Sequence, residues 1–449
     1  MRGAFQRRMS FGLLTAAVAL IFTLGLAQAQ PVPPRGGGGT TPSVGTRLPT
    51  GPVIGGDEIP DGGLGGPQGE PNNDAPHDPN LLVVVFRPGT PDGTSADFAQ
   101  TFNLTIERSY DLAGLRLRVF LMRIPDGGDL EAIRNQASGD GRALWVQPDF
   151  GYVSLDDSNT AAGRQYALAK IRADGLPQAA RGQGITVAMI DSGVARNHES
   201  LNADNITLID LVDGKPTPPA ETHGTVVASI IAGSGKVKGL APAANLIAIR
   251  AFSEVDPKSG ASTSDSFHVS QGISTALEQK ARIINMSIGG PNDRLVRMAI
   301  EQAVLTGVIV IAAAGNSGPD APPVYPAAQR GVIAVTATDD KDRLFNGANR
   351  GDYIAVAAPG VAVIAAKPGK GGASAYDYFT GTSMATGYAT GLAAVLLSAD
   401  PKLTSADIRR IMCHSATDLG PPKKDPGFGW GRIDAAAAFS ATPTVGAAN

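Results

Sequence analysis

The sequence contains a single cysteine, Cys413, in 449 residues, which excludes an intrachain disulfide and any cysteine-rich metal site. It sits in Ile408-Arg409-Arg410-Ile411-Met412-Cys413, an apolar helical face on which a thiol serves as a small buried hydrophobe and not as a nucleophile. Net charge is scarce too. Lys+Arg 38 against Asp+Glu 41 leaves a formal charge of -3, which offers no footing for nucleic acid or an anionic membrane. No loop rich in Asp, Glu and Asn stands out from which calcium ligands could be named.

Glycine and proline are abundant: Gly 56 and Pro 33 make up about 20% of the chain, against roughly 12% in average usage. The excess is local. Arg2, Arg7 and Arg8 precede an uncharged apolar run from Phe11 to Leu26, and Ala27-Gln28-Ala29 follows. This predicts a signal peptide over residues 1–29 that exports the chain to the periplasm or the medium. A membrane anchor is the competing reading of such a run, and the small-residue site with proline just after it favours cleavage. Residues 30–80, with Gly37-Gly38-Gly39 and Pro60-Asp61-Gly62-Gly63, read as a disordered spacer.

Ordered patterning starts at Leu81-Leu82-Val83-Val84-Val85-Phe86. A strand there, helices over 95–102 and 129–136, paired strands around 115–124 and a strand at 143–146 predict a small α+β domain over residues 81–155. After a connector over 156–164, residues 165–440 alternate apolar strands with helices, and 441–449 form a tail. Expected strands are 185–190, 206–211, 246–252, 283–287, 308–313, 332–336 and 354–357; expected helices are 224–231, 266–280, 295–305, 386–398 and 405–413. Near-continuous Val/Ile/Ala strands between helices predict an α/β fold whose mostly parallel sheet has helices on both faces. Chemistry in such a sheet belongs at the carboxyl ends of the strands.

Three stretches carry candidate chemistry. Val187-Ala188-Met189-Ile190-Asp191-Ser192-Gly193 puts a carboxylate at the exit of a buried strand, where it needs a cationic partner. His223 opens an apolar helix, and a helix start disfavours the protonated imidazole, which suits a neutral base. Gly381-Thr382-Ser383-Met384-Ala385 sets a serine where a glycine turn meets an apolar helix. By itself that serine reads as an ordinary N-cap; beside unpaired helix-start N–H groups it also suits a nucleophile.

Taken together, Ile190-Asp191-Ser192-Gly193-Val194, His223-Gly224-Thr225-Val226-Val227-Ala228 and Gly381-Thr382-Ser383-Met384-Ala385 resemble the subtilisin-like serine peptidases, the subtilase family. His223 follows Asp191 by 32 residues and Ser383 follows His223 by 160, in that family's order of Asp, His, Ser. The resemblance runs from about Gln165 to Phe439. It implies a secreted serine endopeptidase in which Ser383 attacks the scissile carbonyl, His223 carries the proton and Asp191 orients the imidazole. Asn316 of Ala314-Gly315-Asn316-Ser317-Gly318 matches the oxyanion-hole asparagine. Ser287-Ile288-Gly289 and the neighbourhood of Ser259-Gly260 resemble the segments that hold substrate as an added strand. Val324, before Tyr325-Pro326, stands where glycine is usual at the floor of the specificity pocket, which implies small or medium apolar residues before the cut. His198, His268 and His414 are expected to be structural, and His198 to lie in a surface loop.

The resemblance also gives the small domain a role: a propeptide that acts as chaperone and inhibitor, with self-cleavage between about Ser154 and Arg164. No cofactor is required, although structural calcium is frequent in the family. Polypeptides are the expected substrates of an enzyme that works as a monomer, without nucleic acid. A non-catalytic binding protein on the same fold and a serine esterase are the alternatives. Gly387 stands where the family usually has proline, so Gly387→Pro is expected to stiffen the helix start and raise thermal stability.

Overall fold

The computed structural model describes residues 75–91, 93–154, 165–212, 221–253 and 262–442. The expected signal peptide, most of the expected spacer, the connector, Ser259-Gly260 and residues 443–449 lie outside the described residues.

Residues of the first unit form β1 (His77–Phe86), α1 (Gly93–Thr101), β2 (Thr105–Leu112), β3 (Leu117–Arg123), α2 (Leu130–Ser138) and β4 (Ala143–Ser154). The sheet runs β4-β1-β3-β2 and these pairs are antiparallel. β1 starts at His77, four residues before the expected boundary, and His77 pairs with Phe150. The run from Leu82 to Phe86 does not alternate in polarity because both faces of β1 are covered. Leu82, Val84 and Phe86 join Phe98, Phe120 and Met122 in a core under the unit's own helices. Val83 and Val85 point the other way, into a core shared with Phe267, Leu295 and Val296. Each buried valine contributes about 1.5–3 kcal/mol, so this second face is a docking surface within the chain.

The larger unit adds α3 (Tyr166–Lys170), β5 (Thr186–Asp191), β6 (Ile206–Asp210), α4 (Thr222–Ala232), β7 (Asn245–Arg250), β8 (Thr263–Asp265), α5 (Ser266–Glu278), β9 (Ile283–Met286), β10 (Ile288–Gly289) and α6 (Arg294–Leu305). It continues through β11 (Ile309–Ala313), β12 (Ile333–Thr338), β13 (Ile354–Pro359), the hairpin β14 (Val363–Pro368) and β15 (Ser374–Phe379), α7 (Thr382–Ala399), α8 (Ser405–His414) and α9 (Ala435–Ser440). Seven strands make one sheet in the order β13-β12-β11-β9-β5-β7-β6, every pair parallel.

Alternate residues of β5 feed opposite faces of this sheet. Val187 and Met189 pack with Val226, Ile230, Met384 and Leu392 on the side of α4 and α7. Ala188 and Ile190 pack with Phe267, Ile273 and Leu295 on the side of α5 and α6. Helices on both faces thus make most positions of the inner strands apolar, with Asn285 and Thr336 as buried exceptions, and β5, an inner strand, delivers Asp191 at its carboxyl end.

α7 begins at Thr382, earlier than the expected 386, with Gly381 as its N-cap at φ 154°. Ser383 is therefore not the cap but the second residue of the helix. Gly387 also has a reason: a β-carbon there would lie 2.8 Å from Cγ2 of Ile230. The glycine lets α7 close against α4, so proline at this position costs packing. The expected gain in stability reverses sign.

Candidate active site

Asp191 is fully buried. Its Oδ1 accepts the Ser192 backbone N–H at 2.7 Å and lies 2.6 Å from Nδ1 of His223. His223 is the second residue of α4 and is itself buried. Two residues set its approach. Ser192 Oγ accepts the Gly224 N–H at 2.9 Å, and a β-carbon on Gly224 would stand 2.4 Å from the Gly193 carbonyl oxygen. Only glycine at 224 lets the helix start sit this close to the end of β5.

Ser383 Oγ donates to the Ser287 carbonyl at 3.1 Å, while Ser287 Oγ donates to the Ser383 carbonyl at 3.3 Å. The first turn of α7 leaves N–H groups that no carbonyl within the helix can reach, and Asn316 lies beside them. Its Oδ1 accepts both the Thr382 N–H at 3.1 Å and the Thr382 hydroxyl at 2.8 Å. The Asn316 Nδ2 is buried and has no acceptor among the described residues. A polarised N–H held in that way can bind an oxygen that gains negative charge.

The loop carrying Asn316 is held by Asn349, which sequence reasoning did not single out. Asn349 Oδ1 accepts the Ser317 N–H at 2.8 Å, its Nδ2 donates to the Pro322 carbonyl at 3.0 Å, and its N–H donates to the Gly315 carbonyl at 3.1 Å. Gly315 has φ 111°, and a β-carbon on it would lie 2.7 Å from Asn349 Cγ. Nothing in the stretch around 349 signals this, because its partners lie some 30 residues away. Thr382 was legible only as the neighbour of the serine.

Residues Gly151 to Ser154, the exit of β4, lie as an antiparallel strand between two segments of the larger unit. Gly151, Tyr152 and Val153 pair with Asp265, Ser264 and Thr263; Val153 and Ser154 pair with Gly289 and Ile288. The segment expected to flank the groove at Ser259-Gly260 lies outside the described residues, and the observed partner is β8, just after it. Gly290 continues the edge by exchanging backbone hydrogen bonds with Tyr325 at 2.7 and 3.0 Å. Val324, beside Tyr325, is half-buried against the core on the α5 and α6 side.

Above this strand the two units share buried acids. Asp149 Oδ1 accepts the Phe267 N–H at 3.1 Å at the start of α5. Asp293 caps α6, accepting from Leu295 and Val296, and also accepts from Gln147 Nε2 at 3.0 Å and from the Ser266 hydroxyl. Burial, with Asp265 and Asp293 nearby, pushes the Asp149 carboxyl well above the usual carboxylate range. Burial likewise raises Asp293.

The remaining candidates are structural. His198 is buried and not at the surface: its Nδ1 accepts the Ser200 N–H and its Nε2 donates to the Ala375 carbonyl at 2.9 Å, tying its loop to β15. His268 pairs with Asp265 at 2.7 Å, and His414 packs edge-on to Trp430. Burial pushes the Cys413 thiol up to about 11, so it stays protonated and inert. Among the described residues no cluster of three or more His, Cys, Asp or Glu side chains could hold a metal, so no residue here is assigned to calcium.

An all-parallel, doubly covered sheet with a serine at a helix start, an aspartate–histidine pair and an asparagine amide beside it defines the subtilisin-like class of serine endopeptidases. A sequence profile of the subtilase family matches residues 182–431, more than half of the chain. The chain belongs to the subtilase family and is a serine endopeptidase of that class. It is 33% identical to subtilisin E of Bacillus subtilis over 289 residues, which cover 62% of this chain and 73% of subtilisin E. Thermitase of Thermoactinomyces vulgaris is 35% identical over 243 residues, covering 53% of this chain and 83% of thermitase. Among solved structures, fervidolysin from Fervidobacterium pennivorans, a keratinolytic enzyme related to subtilisin, superposes with a TM-score of 0.67 at 23% identity. That match covers 86% of this chain and 64% of fervidolysin, and it speaks to the fold.

Proposed function

We propose that the chain is an exported endopeptidase, made as a self-processing zymogen, that cuts polypeptides through Ser383, His223 and Asp191. The observation that carries this is the buried 2.6 Å contact between His223 Nδ1 and Asp191 Oδ1. With Nδ1–H donated to the aspartate, Nε2 is the basic nitrogen that takes the Ser383 proton. Ser383 Oγ then bonds to the scissile carbonyl carbon, and the Asn316 Nδ2 and the helix-start N–H of Ser383 receive the oxyanion. His223 returns the proton to the leaving amine, and water releases the acyl group by the same route.

The groove occupied by Gly151 to Ser154 is the substrate site, with Ser287, Ile288 and Gly289 as one wall and Val324 near the pocket for the residue before the cut. Residues 81–155 are the propeptide, chaperone and inhibitor of the enzyme; they hold its groove until they are cut away. Residues 1–29 direct export to the periplasm or the medium. Among the described residues no helix is long and apolar enough to cross a membrane.

A fluorophosphonate probe tests the assignment. It should label the processed enzyme on Ser383 and fail on Ser383→Ala. No labelling of processed, folded enzyme would leave a binding protein on a peptidase fold, and turnover of esters without peptides would make it an esterase.

A further inference from the structure

Beside Asp191, the carboxyl ends of neighbouring strands line up further charges. β7 lies between β5 and β6, and Arg250 of β7 is the register partner of Asp191 on one side and of Asp210 on the other. Adjacent strands stand about 4.8 Å apart, and residues paired across them point to the same face. Leu246 and Ala248 of β7 pack in the core under α4, as Val187 and Met189 of β5 do. Alternation along each strand then puts Arg250 and Asp191 on that face, the one from which His223 approaches. The row reads anion, cation, anion: Asp191, Arg250, Asp210.

Arg250 is held there with little freedom. Its side chain is 5% exposed, and Nη1 donates to Oδ2 of Asp210 at 2.9 Å. Asp191 gives Oδ1 to His223 and the Ser192 N–H, while its Oδ2 is buried and takes no hydrogen bond from a described residue. The Arg250 charge therefore reaches Asp191 through space, without a shared hydrogen bond. It also reaches the head of α4. There Glu221, two residues before His223, is half-buried; burial raises its carboxyl above the usual range and Arg250 offsets part of that rise.

We propose that Arg250, anchored by Asp210, is a positioning residue that sets the pH at which His223 becomes a base. The inference rests on the triad reading above. Asp191 raises the proton affinity of the imidazole, and a fixed cation on the next strand lowers it. The balance keeps His223 free to take the Ser383 proton at a lower pH than the aspartate alone would allow. Among the described residues, few other charges face His223. α7 has no charged side chain, and its one titratable group, Tyr388, is buried in the core. β14 has Lys367, paired with Asp377 toward the far end of α4, where the Ala366 N–H meets the Ser229 hydroxyl. The loop after β5 brings exposed Arg196; beyond it His198 is tied to Ala375 and Glu199 to Lys236. That leaves Glu221 and the Asp210–Arg250 pair beside the triad.

The test is the pH dependence of kcat/KM on a peptide anilide, whose acid limb reports the base of the free enzyme. Arg250→Met removes the cation and favours the imidazolium. The limb should move up by roughly half a unit, a loss of about threefold at a pH below it, with a smaller change on the plateau. Arg250→Lys keeps the charge and should restore the parent limb. Asp210→Asn keeps an acceptor for Nη1 without the negative charge, so the limb should move down; the shift is smaller because that carboxylate is 46% exposed. The Arg250→Met shift should persist in a Glu221→Gln background, and its loss there would assign the effect to Glu221 and overturn the inference. A limb that stays in place in folded Arg250→Met, or that moves as far in Arg250→Lys, would leave Arg250 a structural residue only. Where Arg250→Met does not fold, Asp210→Asn decides: a limb that stays or moves up overturns the inference. A parent enzyme with no acid limb, or activity retained in His223→Ala, would overturn the triad reading instead.

Discussion

Nδ1 of His223 and Oδ1 of Asp191 lie 2.6 Å apart with both side chains buried. In the proposed mechanism the aspartate fixes the tautomer of the imidazole and balances the charge it gains as it takes a proton. An amide in its place keeps the shape and loses both effects. Asp191→Asn should lower kcat by about 10⁴-fold, with little change in KM. Steady-state kinetics on a peptide anilide, alongside circular dichroism to show an intact fold, check this; a loss under tenfold would remove Asp191 from the mechanism.

Asn316 offers a different kind of contribution. Its Oδ1 is engaged twice by Thr382, which aims the buried Nδ2 outward from the helix start. Removing one such donor costs about 10²- to 10³-fold in kcat. Asn316→Ala should show that loss with KM within a few-fold of the parent. Asn349→Ala, which leaves Asn316 in place but frees its loop, should fall between the two enzymes in kcat. An unchanged kcat in Asn316→Ala would sink the oxyanion role.

Much of this was legible in the sequence because the inner strands of the large sheet are covered on both faces and read as nearly continuous apolar runs, the exposed edge strand β6 being the exception. Asp191, His223 and Ser383 could be found because each stands at a boundary between such a run and a turn. The β14–β15 hairpin was missed: Ser374 to Phe379 is only half-buried until its last residue and has no clear period. The roles of Asn349 and Gly387 were hidden for a different reason. Both depend on contacts with distant elements, and a local pattern carries no record of which helix will lie 2.8 Å away.

Gly387 gives a stability test with a definite sign. A methyl group there meets Ile230 inside the interface of α4 and α7, and overpacking of this kind costs about 1–3 kcal/mol. Gly387→Ala should lower the Tm, and Gly387→Pro should lower it further, since the ring adds bulk and removes a helix N–H. Ile230→Ala, which removes the Cγ2 that the methyl group meets, should cost less in the alanine background than in the parent. A rise in Tm for either single variant would refute the packing account.

The acids between the two units make their docking depend on pH. Asp149 and Asp293 are both raised by burial, and Asp265, paired with His268, adds a further negative charge nearby. The docked state therefore keeps protons that the separated state releases. Its stability is complete below the usual carboxylate range and is lost as pH climbs through the raised values. In Ser383→Ala, which on the proposed self-processing keeps the segment attached, the melting of the small unit should move to lower temperature as pH rises from about 5 to 9. Asp149→Asn keeps an acceptor for the Phe267 N–H without the charge, and should flatten that slope. An equal slope in the variant would show that the acids do not govern docking.

The proposed pocket role of Val324 makes a prediction about which peptides enter. Val324 precedes Tyr325, whose backbone is paired with Gly290 at the end of the edge that holds the exit of β4, and its side chain is only half-buried. If Val324 lines the pocket as proposed, its β-branched side chain shortens the space for the side chain before the cut. Misfit of one or two methylene groups is worth about 1–3 kcal/mol, or 10- to 200-fold in kcat/KM. A peptide-library digest should therefore show leucine, valine and alanine before the cut in preference to phenylalanine and tyrosine. Val324→Gly should admit the aromatic residues, raising kcat/KM for phenylalanine at least tenfold while leaving leucine substrates within a few-fold. A wild-type digest dominated by aromatic residues at that position would place Val324 outside the pocket.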